Sequence, residues 1–265
     1  MGESIVITSG KGGVGKTTTT ANIGAALAME GKKVVVIDAD IGLRNLDLVL
    51  GLENRIVYDI VDVVTGVCRV KQALIKDKRF DNLYLLPAAQ TKDKNAVNPE
   101  QMKDLITDLK KTHDFVIVDC PAGIEQGFKN AISGADRAIV VTTPEISAVR
   151  DADRIIGLLE AAEIHDPLLI VNRLRIDMAR RGDMMNVEDI EDILAIDLIG
   201  VVPDDEEVVM STNRGEPAVF KENSLSGMAF RNISKRLIGE SVPFMEFDVQ
   251  ESFFNKLKRA LSFGK

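Results

Sequence analysis

The sequence places Gly10-Lys11-Gly12-Gly13-Val14-Gly15-Lys16-Thr17 between the apolar run Ile5–Thr8 and the helical pattern of Thr18–Glu30. This octapeptide fits the pattern G-x-x-x-x-G-K-[ST], which forms a phosphate-binding loop when a strand precedes it and a helix follows. Its glycines expose backbone N–H groups, and the N-terminus of the following helix favours anions. We therefore predict a phosphate site over Gly10 to Thr18. Lys16 would reach the β- and γ-phosphates, and the Thr17 hydroxyl would ligate Mg²⁺.

The rest of the chain alternates short apolar runs with longer segments of helical period. The apolar runs are rich in β-branched residues and nearly continuous, as expected for strands covered on both faces. This alternation predicts a parallel sheet with right-handed crossovers, with ligands beyond the carboxyl ends of the strands. The predicted fold class is α/β, a single P-loop NTPase domain with a mostly parallel twisted sheet, helices on both faces and a C-terminal amphipathic helix. The predicted strands are Ile5–Thr8, Lys33–Asp38, Leu83–Pro87, Phe115–Asp119, Ala138–Thr142, Leu168–Asn172 and Leu198–Val202, and the predicted helices include Thr18–Glu30, Pro99–Lys111, Ser147–Ala162 and Val187–Ile193.

The loop contains a second lysine, Lys11, at its start. Within one subunit Lys16 already serves the phosphates, so Lys11 is chemically redundant there. It is either a solvated loop lysine or a group that reaches the nucleotide of a second subunit, as an arginine finger does in trans. Gly12 and Gly13 would leave room for a partner backbone to approach closely.

Carboxylates follow two of the predicted strands, at the edge of the sheet where ligands bind. Asp38 and Asp40 follow one strand, and Asp119 ends another. Close to Mg²⁺ and phosphate, one carboxylate can hold a metal-bound water while another orients or deprotonates the attacking water. Each of them could instead be a helix-capping or turn aspartate. Gly123 follows shortly after and can offer its N–H to a γ-phosphate without side-chain hindrance.

Polar residues also follow two later strands. Asn172 ends one of them, and an amide there can pair with both a donor and an acceptor on an adenine edge. Pro203-Asp204-Asp205 follows the next strand, and the sequence leaves open which of the two aspartates faces a base. Ordinary loop chemistry is the alternative for both segments.

The composition changes near the end of the chain. Residues 241–252 are acidic and carry Pro243, which predicts a loosely held connector between a domain of residues 1–240 and a tail of residues 253–265. On a helix, five apolar side chains of the tail lie within about 120° of arc, Phe263 lies off this stripe, and the basic side chains lie outside it. This pattern is typical of a helix in a membrane interface, and a terminal helix docked on the core is the alternative. The predicted membrane contacts are Phe253, Phe254, Lys256, Leu257, Lys258, Arg259 and Leu261.

The run from Lys11 to Thr17 resembles the deviant Walker A signature of the MinD/ParA ATPases. Residues 37–47, residues 119–125 and the amphipathic C-terminus carry the same resemblance over essentially the whole chain. It implies ATP and Mg²⁺ as cofactors and a homodimer in the ATP state, with Lys11 contacting ATP across the dimer. The implied roles are catalysis by Lys11, Lys16 and Asp40, a Mg²⁺ shell of Thr17, Asp38 and Asp119, and an adenine site at Asn172, Pro203 and Asp205.

The same resemblance implies protein partners and a membrane. In this family a charged helix, here within Thr143–Glu160, acts together with the Arg44 region to bind the division inhibitor MinC and, where present, the activator MinE. A different topological factor is the alternative to MinE. From the residues alone, a charged helix face is usually just solvated. Anionic inner-membrane lipid is the expected surface, and no specific nucleic acid is expected. The implied partner contacts are Arg44, Glu145, Ser147 and Asp153.

The composition of the 265-residue chain is that of an ordinary globular protein, with 45% apolar and 28% charged residues. A net charge of −8 repels nucleic acid and anionic lipid on average, so such contacts need a local basic patch. Cys68 and Cys120 cannot form a disulfide framework and lack metal-ligand spacing. The N-terminus lacks a signal-peptide pattern, and no run reaches about 18 apolar residues. We therefore expect a cytoplasmic protein that is peripheral on the cytoplasmic face of the cell membrane.

Three other functions stay open on the residues alone. A ParA-type DNA-partitioning ATPase would need a basic patch on the folded body. A relative that carries an iron–sulfur cluster would need positioned cysteine thiolates, and Cys68 has no near partner in the sequence. A non-catalytic nucleotide-binding scaffold would have no use for Asp40. The main hypothesis is a Mg²⁺- and ATP-dependent dimerising ATPase that binds the membrane and positions the division septum.

Overall fold

The computed structural model describes residues 1–245. Residues 246–252 of the predicted connector and the predicted membrane helix, residues 253–265, lie outside the described residues. The strands are β1 Glu3–Thr8, β2 Val34–Asp38, β3 Ile75–Lys76, β4 Leu83–Leu86, β5 Phe115–Asp119, β6 Arg137–Thr142, β7 Leu168–Leu174 and β8 Leu198–Pro203. The helices are α1 Lys16–Met29, α2 Leu46–Leu50, α3 Ile60–Val64, α4 Val70–Ala73, α5 Pro99–Lys110, α6 Gln126–Ile132, α7 Ile146–Ala161, α8 Ile176–Arg181, α9 Val187–Leu194, α10 Glu206–Asn213 and α11 Leu225–Leu237.

The strands form one sheet in the order β3-β4-β2-β5-β1-β6-β7-β8. Every neighbouring pair is parallel except β3 with β4, which is antiparallel. The α/β class and the mostly parallel sheet predicted above are confirmed. Because the strands are parallel, their carboxyl ends meet at one edge, which brings Thr8, Asp38, Asp119 and Thr142 together above the sheet.

Two apolar cores lie on the two faces of this sheet, which explains why the strands are apolar almost throughout. Within β1, Val6 packs into one core while Ile5 and Ile7 pack into the other. Helices α5, α6, α7 and α9 cover the first face, and α1, α2 and α11 cover the second. Successive side chains of a strand point to opposite faces, so a strand buried on both sides has no polar alternation.

The predicted strands are all present, with ends that move by at most two residues. The prediction omitted β3, because two residues carry no periodic pattern. The difference from the prediction that matters most for the site is at β7, whose predicted end is Asn172 and which continues to Leu174. The pairing of β7 with β8 is irregular between these two residues. Arg173 at this irregularity has φ +57°, in the left-handed region. Such bulges re-aim neighbouring side chains, and Asn172 lies directly beside this irregularity.

The longer helices begin and pack as their sequences require. Asn98 caps α5 by accepting from the N–H of Gln101, the Gln101 side chain accepts from the Asn98 N–H, and Pro99 occupies the first turn. The apolar positions of this helix face the sheet. Within residues 1–245, no helix has both the length and the apolar character needed to cross a bilayer.

The first residues of the connector differ from the prediction of a loosely held segment. Arg236 of α11 donates from Nε to the carbonyl of Val242 at 2.9 Å and from Nη2 to that of Pro243 at 2.8 Å. Its Nη1 also donates to the carbonyl of Ile199 on the edge strand β8, at 2.8 Å. Residues 242 and 243 are therefore tied to α11 and β8 through one guanidinium, which can serve several carbonyls because it carries five donors.

Candidate nucleotide and metal site

The loop between β1 and α1 is shaped to receive an anion. Gly15 caps α1 at φ +101° without a capping side chain, so the first-turn N–H groups of the helix have no side-chain acceptor. The Lys16 side chain turns back into the loop, where its Nζ donates to Ser9 Oγ at 2.9 Å, and the residue is only 7% exposed. A lysine held this way keeps its ammonium beside the N–H groups that phosphate oxygens would bind.

Two glycines of the loop make close approaches that any larger residue would block. A Cβ on Gly10 would lie 2.2 Å from the carbonyl oxygen of Asp151, so the loop packs directly on α7. A Cβ on Gly15 would lie 2.3 Å from Nδ2 of Asn172, whose amide donates to the carbonyl of Val14 at 2.7 Å. Nothing lies within 4 Å of a Cβ position on Gly13, and a Cβ on Gly12 would meet only the Cβ of Ala122, at 3.7 Å.

Two buried aspartates form the metal edge of the site. Asp38 and Asp119 are direct neighbours on the adjacent strands β2 and β5, and each is almost fully buried. Burial raises the pKa of Asp38 to about 6 against the opposing effect of three backbone N–H donors. Burial and then the charge of Asp38 raise the pKa of Asp119 to about 8. Two neighbouring buried carboxylates that resist ionisation are the arrangement that a divalent cation would relieve.

The hydroxyl and carboxylate oxygens at this edge of the site are suited to Mg²⁺ that is bound together with a nucleotide. The hydroxyls of Thr17 and Thr20 hydrogen-bond to Asp119, with Thr20 Oγ1 at 3.3 Å from Oδ1. Hydroxyl and carboxylate oxygens are the ligands that Mg²⁺ takes, and substrate phosphates usually complete its shell. Within the described part of the chain, no group of three or more His, Cys, Asp or Glu side chains is placed to hold a metal alone. The protein would therefore hold Mg²⁺ only in part, with phosphate oxygens and water supplying the rest.

Asp38 has a second task, which is to hold the loop that follows β2. Its Oδ1 accepts from the N–H of Asp40 at 2.9 Å, and its Oδ2 accepts from the N–H groups of Asn45 and Leu46 at 3.1 Å. The turn or capping role that sequence reasoning kept as the alternative is thus real. A carboxylate oxygen has more than one lone pair, so capping and outer-shell metal binding are compatible.

Asp40 lies where the loop after β2 approaches the loop after β5. It is half-buried and lines a small cavity of about 20 Å³ with Pro121 and Ala122. That volume is enough for one water molecule. Gly123, at φ +94°, has nothing within 4 Å of its Cβ position, so its backbone can be approached.

Lys11 points out of the loop, in contrast to Lys16. Its Nζ lies 3.2 Å from Oε2 of Glu145 and 3.2 Å from Oγ of Ser147, at the start of α7. The lysine side chain is 42% exposed and that of Glu145 is 59% exposed, so this pair is worth at most about 1 kcal/mol. A contact this weak holds Lys11 loosely enough for another anion to compete for it.

A cavity of about 380 Å³ opens beside the loop, between β7, β8 and α10. Gly15, Thr18, Asn172, Pro203 and both candidate aspartates line it, so residues far apart in the sequence meet there. The Asn172 amide donates to Val14, and its Oδ1 accepts from the Arg173 N–H at 2.9 Å, so its role in this structure is to brace the loop.

The two aspartates at this cavity differ in what they bind. The carboxylate of Asp205 accepts from the N–H groups of Glu207 and Ser226 and from the hydroxyls of Ser224 and Ser226, and these bonds join α10 to α11. Those hydrogen bonds lower the pKa of Asp205 against the effect of burial. Asp204 is exposed at the cavity mouth. The hydrogen bonding therefore favours Asp204 over the assigned Asp205 as a contact for a base.

Three of the four residues predicted to contact protein partners are exposed near the start of α7, and the fourth, Arg44, is not. Glu145, at the N-cap of α7, and Ser147 and Asp153, in the first half of the helix, are exposed. Arg44 instead turns inward, and its Nε lies 2.8 Å from Oδ2 of the buried Asp47. Asp47 therefore fixes the orientation of Arg44.

Comparisons with known proteins place the chain in a nucleotide-binding family. The family model of the CobQ/CobB/MinD/ParA nucleotide binding domain matches residues 5–218. The chain is 62% identical over 252 residues to the septum site-determining protein MinD of Bacillus subtilis, with 94% of each chain covered.

The chain belongs to the MinD family of septum site-determining ATPases.

Solved structures of MinD proteins share the fold. The MinC:MinD cell division protein complex of Aquifex aeolicus matches with a TM-score of 0.87 and 51% identity, over 93% of this chain and 100% of that one. The MinD of Pyrococcus horikoshii complexed with Mg-ADP matches with a TM-score of 0.81 and 33% identity, over 89% of this chain and 96% of that one. The predicted resemblance and the predicted ATPase activity are confirmed at the level of the family.

Two of the alternative functions considered above, a cluster-carrying relative and a DNA-partitioning ATPase, are less supported than a MinD function. A role in carrying an iron–sulfur cluster is less supported, because Cys68 and Cys120 are both buried, free cysteines and the relatives with high identity are MinD proteins. A DNA-partitioning ParA-type function is less supported, because relatives with high identity over nearly the whole chain are MinD proteins.

Sequence reasoning missed three residues that complete the site. Ser9 receives the Lys16 ammonium, Thr20 binds Asp119, and Asp47 orients Arg44. Ser9 lies next to the loop and could have been included by position. Thr20 lies one helical turn beyond Lys16, so helical periodicity could have pointed to it. Asp47 carries no such signal.

Proposed function

We propose that this protein is a Mg²⁺- and ATP-dependent ATPase that dimerises around its nucleotides, binds the membrane in that state and recruits the division inhibitor MinC to place the septum. The observation that carries the proposal is the opposite direction of the two loop lysines. Lys16 is buried beside the phosphate site, whereas Lys11 extends away from it to an exposed, weakly bonded position. One lysine serves the subunit's own nucleotide, and the other is available to a second subunit.

In the proposed reaction, the chain's own residues position the nucleotide and the water. The N–H groups of residues 13–17 and the Lys16 ammonium bind the β- and γ-phosphates, and the Gly123 N–H contacts the γ-phosphate. Thr17, Asp38 and Asp119 would hold Mg²⁺ and its waters, and the ion neutralises developing phosphate charge when bound. Asp40 orients the attacking water and accepts its proton, as its place beside the water-sized cavity allows.

The proposed membrane contact is the tail of residues 253–265. Each basic residue near anionic lipid contributes on the order of 1 kcal/mol, and the apolar side chains add a few more. Ordering a short helix offsets much of this gain, so one copy binds weakly. Two copies on a dimer bind with avidity, which raises affinity about 10²–10⁴-fold. ATP-driven dimerisation would thus act as the membrane switch.

The proposed MinC contacts are the exposed residues of α7 and the Arg44 region. The MinD of Aquifex aeolicus forms a complex with MinC and shares the fold closely, which supports this assignment. MinE or another topological factor would use the same surface. A pull-down with MinC should be lost in Ser147→Arg and Asp153→Arg, and retained in the matched control Arg154→Ala. Unchanged capture by both α7 variants would remove the assignment.

Vesicle co-sedimentation tests the proposed membrane switch. Full-length protein should sediment with vesicles of equal parts phosphatidylglycerol and phosphatidylcholine in ATP, and remain in solution in ADP. The Phe254→Asp/Leu257→Asp variant should stay in solution in both nucleotides, because its tail has lost its apolar face. Wild-type protein that never sediments would move the proposal toward a DNA-partitioning ATPase, which a salt-sensitive DNA gel shift would then reveal.

A further inference from the structure

A groove of about 420 Å³ lies between the edge strand β8 and helices α8 and α9, away from the nucleotide site. This volume is in the range of clefts that hold ligands. The wall of the groove is apolar and its rim carries Arg180, Glu188 and Glu191. The apolar wall is formed by Leu174, Ile176, Ala179, Val187, Leu198 and Val201.

The chain itself leads into this groove. Arg236 ties Val242 and Pro243 beside β8, and its guanidinium carbon lies 4.2 Å from the ring centre of Phe244. Phe244 and Met245 line the groove. Met245, the last described residue, therefore lies at the groove, and the remaining 20 residues, 246 to 265, follow it in the chain.

The side of the groove formed by α9 is acidic, whereas Arg180 lies on α8. Helix α9 reads Val-Glu-Asp-Ile-Glu-Asp-Ile-Leu and carries four acidic residues and no basic one. Partial burial raises the pKa of Glu191, and the charges of Glu188, Asp192 and Asp197 raise it further. Cationic side chains placed along this helix would offset that repulsion.

We propose that residues 253–265 dock into this groove while the protein is in solution, as an intramolecular cover that competes with the membrane. The apolar side chains of the tail would lie on the apolar wall, and its basic side chains would face α9. Residues 246–252 number seven, and seven extended residues reach at most about 25 Å, so the tail can turn back onto the adjacent groove. The basic side chains of the tail complement α9, its apolar side chains complement the wall of the groove, and the continuity of the chain favours this occupant over a separate partner.

Docking would set a threshold for membrane binding. A tethered segment sees its groove at an effective concentration in the mM range, so even a weak site is mostly filled. One tail would then remain in its groove, whereas two tails on a dimer could leave together for a surface that binds both. Only this threshold for membrane binding rests on the proposed function. Docking of the tail into the groove needs neither lipid nor ATP.

Hydrogen exchange in vesicle-free buffer with ADP tests the docking directly. In the full-length Phe254→Asp/Leu257→Asp variant, the amides of α9 should exchange about three- to tenfold faster than in wild-type protein, since the cover is lost. The control Phe263→Asp changes an aromatic residue off the apolar stripe and should exchange like the wild type. Equal rates of α9 exchange in all three proteins would overturn the docking proposal, whatever the vesicle experiments show.

Substitutions in helix α9, which forms one side of the groove, test the docking independently. Glu188→Gln/Glu191→Gln should raise sedimentation with the same anionic vesicles in ADP several-fold over the matched control Glu53→Gln/Glu160→Gln, which carries the same net charge. Equal sedimentation of the two variants would contradict docking against α9. If wild-type protein fails to bind vesicles even in ATP, the membrane proposal fails while the exchange result still decides the docking.

Discussion

Gly15→Ala tests how the phosphate loop is held. The new Cβ would meet two penalties, because Gly15 has φ +101° and because Nδ2 of Asn172 lies only 2.3 Å from the Cβ position. A side chain in the left-handed region costs about 1–2 kcal/mol. If the amide moves aside, the buried carbonyl of Val14 loses its 2.7 Å hydrogen bond, which costs about 1–3 kcal/mol more. We expect a total destabilisation of about 2–5 kcal/mol.

Gly31→Ala is the matched control for this prediction. Gly31 has φ +76° and nothing within 4 Å of its Cβ position, so the variant meets the backbone strain without the collision. Both changes restrict the unfolded chain equally, so that contribution cancels in the comparison. Gly15→Ala should therefore lose about 1–3 kcal/mol more than Gly31→Ala in urea unfolding, with the same m value.

Asn172→Ala identifies the source of the difference. Removing the amide alone should cost about 1–3 kcal/mol, because Val14 loses its donor. In the double variant the collision is absent, so the total loss should fall below the sum of the two single losses by about 1 kcal/mol or more. Strict additivity, or a Gly15→Ala protein as stable as Gly31→Ala, would refute the idea that Asn172 braces the loop.

The other predictions concern the charged groups of the site. Lys16→Ala should reduce phosphate release from ATP by at least about 10²-fold, because an ammonium that stabilises transferring phosphate is lost. Asp40→Ala should reduce phosphate release about 10²–10⁴-fold while the ATP-dependent dimer persists on size-exclusion chromatography. Lys11→Ala should elute as a monomer in ATP yet bind ATP within about tenfold of wild-type affinity, since its own subunit uses Lys16. Without Mg²⁺, wild-type protein should lose more stability than Asp119→Asn in urea unfolding as the pH rises from about 4 to about 8, because the raised pKa of Asp119 makes the folded state bind more protons than the unfolded one.

Each of these has an outcome that contradicts it. Normal turnover in Lys16→Ala would place the phosphates elsewhere, and loss of the dimer in Asp40→Ala would make Asp40 structural. A dimer of Lys11→Ala in ATP would end the proposal of a lysine in trans. A pH dependence that is the same in wild-type protein and in Asp119→Asn would show that the pKa of Asp119 is not raised in the folded protein.

The fold class, the phosphate loop and the carboxylates beside it can all be predicted from the order of the amino acids. Each of these features follows from a local pattern in the sequence. The patterns are eight consecutive loop residues, apolar runs of strand length, and polar residues at strand ends. Parallel strands then bring those ends together, so Asp38 and Asp119 could be predicted to meet without knowledge of any side-chain contact.

The tertiary structure decided which partner each polar group takes. Lys11 rests on Glu145, 134 positions away, and Asn172 binds Val14, 158 positions away. Asp205 joins two helices, and Arg236 ties the connector to an edge strand. A carboxylate, an amide or a guanidinium can satisfy its hydrogen bonds in many ways, and residue type does not choose among them. The choice is made by how the strands and helices pack around the two cores, because packing alone sets which distant groups come within hydrogen-bonding distance of each other.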